Sequence, residues 1–307
     1  MEQEARQPVF GAINVPFAIF WSDPGKPEYE NISLRASSQP SKWAESLDVA
    51  RRLWLVDKVN TMAIFGERVV ILDRQGDWLN IAAVVQRTRD NRWGQVGWVP
   101  ADQVSQNGSY LKEQLCRPEA VIIVPRATLF QDACLTQPLG TLGFQVRLPV
   151  LAESQTSFTL RLPDGGCGYL TRGEGHKAAD LCFSRKNIVD AARQFLGLRY
   201  LWGGTSIYGY DCSGFTFRLY QSQGIYLPRN SKQQSQEGFP VGRKSLATGD
   251  LLFFATENGK GYIHHVAMYA ADGMMIHSPE SKDAIKESRV DDEPYRQEYW
   301  GARRYAV

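Results

Sequence analysis

In the front half of the chain, apolar positions come in short alternating runs separated by turn residues. Between Asn60 and Gln103, Val69-Val70-Ile71-Leu72 leads into a Gln75-Gly76-Asp77 turn, then Trp78-Leu79-Asn80-Ile81, and Val96-Gly97-Trp98-Val99-Pro100 closes the segment. Strands this short, at this density of turns, predict a small β-barrel. The apolar stretch Val9 to Trp21 predicts its opening strand. Ser41 to Lys58 predicts a helical insertion with Trp43, Leu47, Ala50, Leu53, Trp54 and Leu55 along one stripe. A second barrel is predicted from Ala120 to Leu170, where Leu139-Gly140, Leu142-Gly143 and Pro163-Asp164-Gly165-Gly166 mark the turns. Its closing Gly168-Tyr169-Leu170 echoes Gly97-Trp98-Val99, a weak internal repeat.

The pattern changes at Arg185. Asn187 can cap a helix that carries Ile188, Ala191, Ala192, Phe195 and Leu196 on one side and stops at Gly197. A second helix is predicted from Cys212, with Asp211 as its N-cap, Phe215 and Leu219 at helical spacing and Gly224 as its end. Strands follow at Leu251 to Phe254, His264 to Ala270, Met274 to Ser278 and Gly301 to Tyr305. Helices on one face of an antiparallel sheet make this an α+β unit. Three domains result, spanning 1–113, 114–184 and 185–307.

A length of 307 residues accommodates several cores, and a net charge of +2 without a basic cluster gives no footprint for nucleic acid. No apolar run is long enough to span a membrane. The N-terminus lacks a basic n-region, so the chain reads as cytoplasmic. An exported enzyme whose leader had been cut away would read the same.

Cys212 carries the candidate chemistry. At a first helical position its sulfur meets the positive end of the helix dipole and unpaired N–H groups, which can lower the thiol pKa and hold an oxyanion. His265 and His277, two of the four histidines, lie downstream and supply a base and a group to orient it. The alternative for any single cysteine is a small buried apolar residue. That reading suits Cys116, Cys134, Cys167 and Cys182, which show no paired spacing and bring the total to an odd five. A zinc site from Cys212, His264, His265 and His277 fails because adjacent residues on a strand point to opposite faces, and no metal or cofactor is expected.

These motifs resemble the NlpC-type peptidoglycan cysteine peptidases. The resemblance rests on Tyr200-Leu201-Trp202-Gly203-Gly204, Asp211-Cys212-Ser213-Gly214, Leu227-Pro228-Arg229-Asn230-Ser231, Gly249-Asp250-Leu251-Leu252-Phe253-Phe254, and His265-Val266-Ala267-Met268-Tyr269 followed by Met275-Ile276-His277. Trp54-Leu55-Val56, Phe65-Gly66-Glu67 and Gly97-Trp98-Val99-Pro100 extend it to the SH3-like front of γ-D-glutamyl-L-diamino acid endopeptidases that recycle murein peptides. The resemblance implies a papain-like α+β catalytic domain behind two small SH3-like β-barrels. It also implies hydrolysis of the γ-D-glutamyl–diamino acid bond in stem peptides with a free N-terminal L-alanine. Peptidoglycan-derived peptides would then be the partners, and the enzyme a monomer.

By the same resemblance Cys212 is the nucleophile, His265 the base, His277 the orienting third member and Tyr200 an oxyanion donor. Asp211, Ser213 and Arg229 match substrate-contacting positions, Arg229 to hold the free α-carboxylate of D-glutamate. Two positions depart. Asn230 stands where the family commonly has Asp to pair with the alanine ammonium, and Gln95 falls where relatives carry a tyrosine near the same amine. Glu67 and Asp211 are the residues expected to compensate. Two other readings are a secreted hydrolase of intact wall and a non-catalytic binding protein. The latter predicts an eroded Cys-His-His set, and none is eroded.

One geometric expectation follows from pairing rules. His265 and His277 must share a sheet face, so the loop between their strands needs an odd residue count. A three-residue Ala271-Asp272-Gly273 loop with Gly273 left-handed, or a five-residue variant, would pair 270 with 274 and 267 with 277.

Overall fold

The alternating front half forms two antiparallel sheets of seven strands each in this computed structural model, which describes residues 7–25 and 31–306. The first comprises β1 (Val9–Ile13), β2 (Phe17–Trp21), β3 (Val59–Ile64), β4 (Arg68–Gln75), β5 (Trp78–Ala83), β6 (Gln95–Pro100) and β7 (Val104–Ser105), in the order β3-β2-β6-β5-β4-β1-β7. The expected opening strand is thus two strands. Pro16 has no N–H to give a ladder, and the break lets β1 pair with β4 while β2 pairs with β3.

A short helix, α1 (Ile32–Ser38), precedes the expected insertion, and two more, α2 (Pro40–Ser46) and α3 (Val49–Trp54), replace the single helix expected over Ser41 to Lys58. Asp48 is the reason: its carboxylate accepts from the Arg51 N–H at 2.8 Å, starting a new helix after an extended Leu47. The restart breaks the stripe. Trp43, Leu47 and Leu55 are buried, whereas Leu53 and Ala50 face solvent and Arg52 is buried instead.

After α4 (Gly108–Cys116), the second sheet comprises β8 (Glu119–Ile122), β9 (Arg126–Phe130), β10 (Pro138–Gly143), β11 (Arg147–Glu153), β12 (Ser157–Arg161), β13 (Cys167–Thr171) and β14 (Gly175–Lys177), ordered β10-β9-β13-β12-β11-β8-β14. Neither order returns to its first strand, so among the described residues both front units are open antiparallel sheets.

The C-terminal unit is the expected α+β arrangement. Helix α5 (Arg185–Arg193) is capped by Ser184, three residues before the anticipated Asn187, whose own N–H donates to the Ser184 hydroxyl. A two-stranded ribbon, β15 (Thr205–Ser206) and β16 (Gly209–Tyr210), leads to α6 (Cys212–Gln221), which is buried along its whole length. Helix α7 (Ser231–Gln234) follows. The sheet contains β17 (Phe239–Val241), β18 (Leu251–Ala255), β19 (Ile263–Ala271), β20 (Met274–His277), β21 (Lys286–Arg289) and β22 (Tyr299–Arg304), ordered β17-β22-β18-β19-β20-β21. Phe253 and Phe254 are fully buried on opposite faces of β18, each in its own apolar cluster.

The β19–β20 turn differs from expectation in an instructive way. It is a two-residue turn with both Asp272 (φ 51°) and Gly273 (φ 76°) left-handed, closed by Ala271 opposite Met274. A bulge between Tyr269 and Ala271 then inserts the odd residue into the strand instead of the loop. Beyond it Tyr269 faces Met275 and Met268 faces Ile276, the offset the catalytic face requires.

Candidate active site

Cys212 begins α6 at the floor of a cleft of about 800 Å³ between the first sheet and the C-terminal unit. Its helix starts there because the Asp211 carboxylate accepts from the Gly214 N–H at 2.6 Å. Arg229 clamps that carboxylate, with its two terminal nitrogens 3.0 and 2.6 Å from the Asp211 oxygens. Arg229 also donates to the Ser213 hydroxyl at 3.0 Å and, through Nε, to Thr61 Oγ1 of β3 at 2.9 Å. Thr61 in turn donates to Gln86 Oε1. The floor beneath the thiol is therefore a satisfied polar network that crosses from the first sheet to the start of α6.

Behind Cys212, β19 carries His265 and β20 carries His277. His265 Nε2 lies 2.8 Å from His277 Nδ1, and His277 Nε2 lies 3.0 Å from Ser288 Oγ on β21. The bulge described above sets both imidazoles on one face. Ser288 reaches the same face because His277 pairs with Lys286, which puts Ser288 diagonally across. If His277 Nε2 donates to the serine, its Nδ1 accepts from His265 Nε2, and His265 Nδ1 is left with a lone pair. The backbone N–H groups of Val266 and Ser213 both act on the Cys212 sulfur, tying it to the strand that carries His265 and to its own helix start. Tyr295 packs its ring edge-on to His277 with centroids 5.1 Å apart and lies 6.2 Å from His265.

The electrostatics favour neutral groups. Burial pushes the Cys212 thiol up to about 12, and the Asp211 carboxylate adds to the rise, against the Val266 and Ser213 N–H groups and the Arg229 charge. The expected lowering at the helix start is thus outweighed by desolvation. Burial, then His277 and His264, hold His265 well below its ordinary value; burial and Lys286 bring His277 to about 4. Burial first, then Cys212 and Asp211, raise Tyr200 well above its ordinary value, so its phenol stays protonated.

The structure separates the sequence-predicted residues into three groups. Cys212, Tyr200, Asp211, Ser213, Asn230 and Gln95 line the cleft. His265 and His277 stand behind it, 5% and 0% exposed. Arg229 and Glu67 are outside the lining. Arg229 is 1% exposed with its nitrogens engaged, so the expected role of holding a substrate carboxylate is not open to it. Glu67 Oε1 pairs with the fully buried Arg218 at 2.5 Å, and its Oε2 accepts from the Ile64 N–H, so it cannot compensate for Asn230. Asp211 is likewise committed to Arg229. His264 points the other way from His265, toward Glu298 at 3.3 Å, and lines the cleft. Among the described residues no cluster of histidine, cysteine and carboxylate could hold a metal.

Sequence reasoning missed Thr61, Ser288, Tyr295, Arg89 and Lys232. Ser288 sits in the polar run Lys286-Glu287-Ser288-Arg289, which has no apolar alternation to mark a strand. Arg89 lies in a turn of the first sheet, far in sequence from the thiol.

The Val266 N–H on the Cys212 sulfur sets the thiol against the strand that carries His265, and a neutral thiol with a neutral imidazole for its base suits addition of sulfur to a carbonyl as the proton crosses to nitrogen. The class is therefore cysteine peptidase. A family description, NlpC/P60 family, matches residues 197–304. A γ-D-glutamyl-L-lysine dipeptidyl-peptidase of Bacillus cereus is 35% identical over 95% of this chain and 90% of its own length. One of the same description from Bacillus subtilis is 29% identical over 94% and 96%. A crystal structure of an NlpC/P60 family protein from Bacillus cereus superposes with a TM-score of 0.89 at 34% identity, covering 96% of this chain and 99% of that one. The chain belongs to the NlpC/P60 family.

Proposed function

We propose that the enzyme hydrolyses the γ-D-glutamyl–L-diamino acid bond of short peptidoglycan-derived peptides, releasing an N-terminal dipeptide. The observation that carries this reading is the likeness, along nearly the full chain, to two γ-D-glutamyl-L-lysine dipeptidyl-peptidases, in a molecule whose first sheet walls the cleft above Cys212. Cys212 Sγ attacks the γ-carbonyl while His265 Nδ1 takes the thiol proton, with His277 and Ser288 holding the imidazole. The Tyr200 phenol donates to the oxyanion. As the C–N bond breaks, His265 returns the proton to the leaving amine of the diamino acid. Water, deprotonated by His265, then cleaves the thioester and restores the thiol.

The free ammonium of L-alanine needs a carboxylate. Asp57 and Asp90 line the cleft outside any ion pair among the described residues, and they replace Glu67 and Asp211 in that role beside Asn230 and Gln95. The front sheets act as two SH3-like units, 1–113 and 114–184, ahead of a catalytic domain at 185–307. The enzyme works as a monomer on released peptides, the setting of a cytoplasmic recycling enzyme. Cleavage of L-Ala-γ-D-Glu-L-Lys compared with its N-acetylated form and with intact sacculi tests the proposal. Selective cleavage of the free tripeptide is expected, and equal or better cleavage of sacculi would replace it with a wall hydrolase.

A further inference from the structure

A γ-linked D-glutamate keeps its α-carboxylate free, and the diamino acid of the same peptide carries another. Arg229, the residue expected to meet the first, is spent on Asp211, Ser213 and Thr61. The cations that line the cleft with Cys212 are Arg89 and Lys232. Both are exposed, and among the described residues neither joins an ion pair; Lys232 Nζ stands 5.7 Å from the Tyr262 ring centre.

The backbone leading into Arg89 is also held in place. Before it, Arg87 pairs with Glu237 at 2.9 Å and donates to the Tyr226 carbonyl at 2.8 Å, while the Arg87 carbonyl accepts from the Arg229 N–H at 3.0 Å. Next to it, Thr88 Oγ1 accepts from Gln233 Nε2 of α7 at 3.1 Å and from the Asp90 N–H at 3.2 Å. Asp90 turns its carboxylate to Thr88. Arg87 and Thr88 thus strap the turn to the catalytic unit, and Arg89 is the residue of the strap whose side chain takes no part in it. A cation on an anchored backbone, with its guanidinium unspent, loses little freedom on gripping a ligand.

We propose that Arg89, assisted by Lys232, is the specificity-determining cation of this cleft and receives a free carboxylate of the peptide substrate. Guanidinium and carboxylate match in a two-point fork, and an amide in the same place would leave that fork half used. This rests on the γ-glutamyl peptidase reading above.

The test measures kcat/KM of wild type, Arg89→Gln, Arg89→Lys and Lys232→Gln on three peptides: L-Ala-γ-D-Glu-L-Lys, the same peptide with the glutamate α-carboxyl amidated, and the same peptide ending in lysine amide. Wild type should lose about tenfold or more on one of the two amides, and which one identifies the carboxylate. Arg89→Gln should lose a similar factor on the parent peptide, mainly through KM, and almost nothing further on that amide, so the preference collapses. Arg89→Lys should keep part of it and Lys232→Gln should show a smaller loss. All variants should keep the wild-type melting temperature, since both side chains are exposed. A wild type indifferent to both amidations, or an Arg89→Gln that falls equally on all three peptides, overturns the proposal. A wild type that cleaves none of the three removes the γ-glutamyl reading itself.

Discussion

The floor and the mouth of the cleft are built on opposite principles. Under Cys212, the polar groups of Asp211, Ser213, Arg229 and Thr61 are hydrogen-bonded and almost none is accessible. At the mouth, Asp57, Asp90, Arg89 and Lys232 stand in solvent without ion partners among the described residues. A buried charge must be matched by the protein or it destabilises the fold, whereas an exposed one is matched by water until a ligand displaces it. Residues of the same chemical type, Arg229 and Arg89, therefore differ in place: one fixes the start of α6 at Cys212, the other is exposed in the cleft.

Substitutions can sharpen or break that division. Cys212→Ala should abolish turnover while leaving the melting temperature near wild type; activity above a trace in the purified variant would end its assignment as nucleophile. His265→Ala should cost about 10²–10⁴-fold in kcat, the usual worth of a general base. Arg229→Met removes one member of a buried pair and should destabilise by about 3–5 kcal/mol in urea denaturation. An Arg229→Met that is stable but loses only substrate affinity would move Arg229 from the floor to the mouth.

The pH dependence follows from the depressed imidazoles. Because His265 is held below its ordinary value, kcat/KM should stay level as pH falls through about 6.5 and decline only at lower pH. Stability should behave in the same sense. The unfolded chain protonates His277 near 6.5 but the folded one only near 4, so the unfolded state gains protons first and stability drops as pH falls across that window. His277→Asn should flatten that slope in a pH series of melting curves. The smallest effect belongs to His264→Ala: its half-exposed pairing with Glu298 at 3.3 Å is worth little, and a change in kcat/KM within about threefold is expected. A larger loss there than at His265 would reverse the facing of the strand.

The start of α6 and the shared face of His265 and His277 were legible because their signals are local. Asp211 before an apolar helical period marks the start of α6, and parity alone required His265 and His277 to share a face. The way the parity is met was not legible. A bulge at Tyr269–Ala271 and an odd loop give the same offset, and Asp272-Gly273 suits either. The roles of Arg229 and Glu67 were misread for a different reason. A motif shows that an arginine sits near the thiol but not that Asp211 already holds it, and Glu67 finds Arg218 only once two distant segments pack. The helical insertion failed at Asp48, where a local cap overrode a stripe that looked continuous.

Thr61 and Glu67 belong to the first sheet, yet the arginines they satisfy, Arg229 and Arg218, lie inside the C-terminal unit and are 1% and 0% exposed. Separation of the two units would take Thr61 from Arg229 and the Glu67 carboxylate from Arg218, leaving Arg229 to Asp211 and Ser213 and Arg218, without its counter-charge, to Thr205 and Gln221, so the stability of each unit is coupled to the other. The front sheet is in this sense a structural cofactor made of protein. Its loss by proteolysis would remove one wall of the cleft together with the Thr61 and Glu67 contacts while leaving every bond in the catalytic unit uncut.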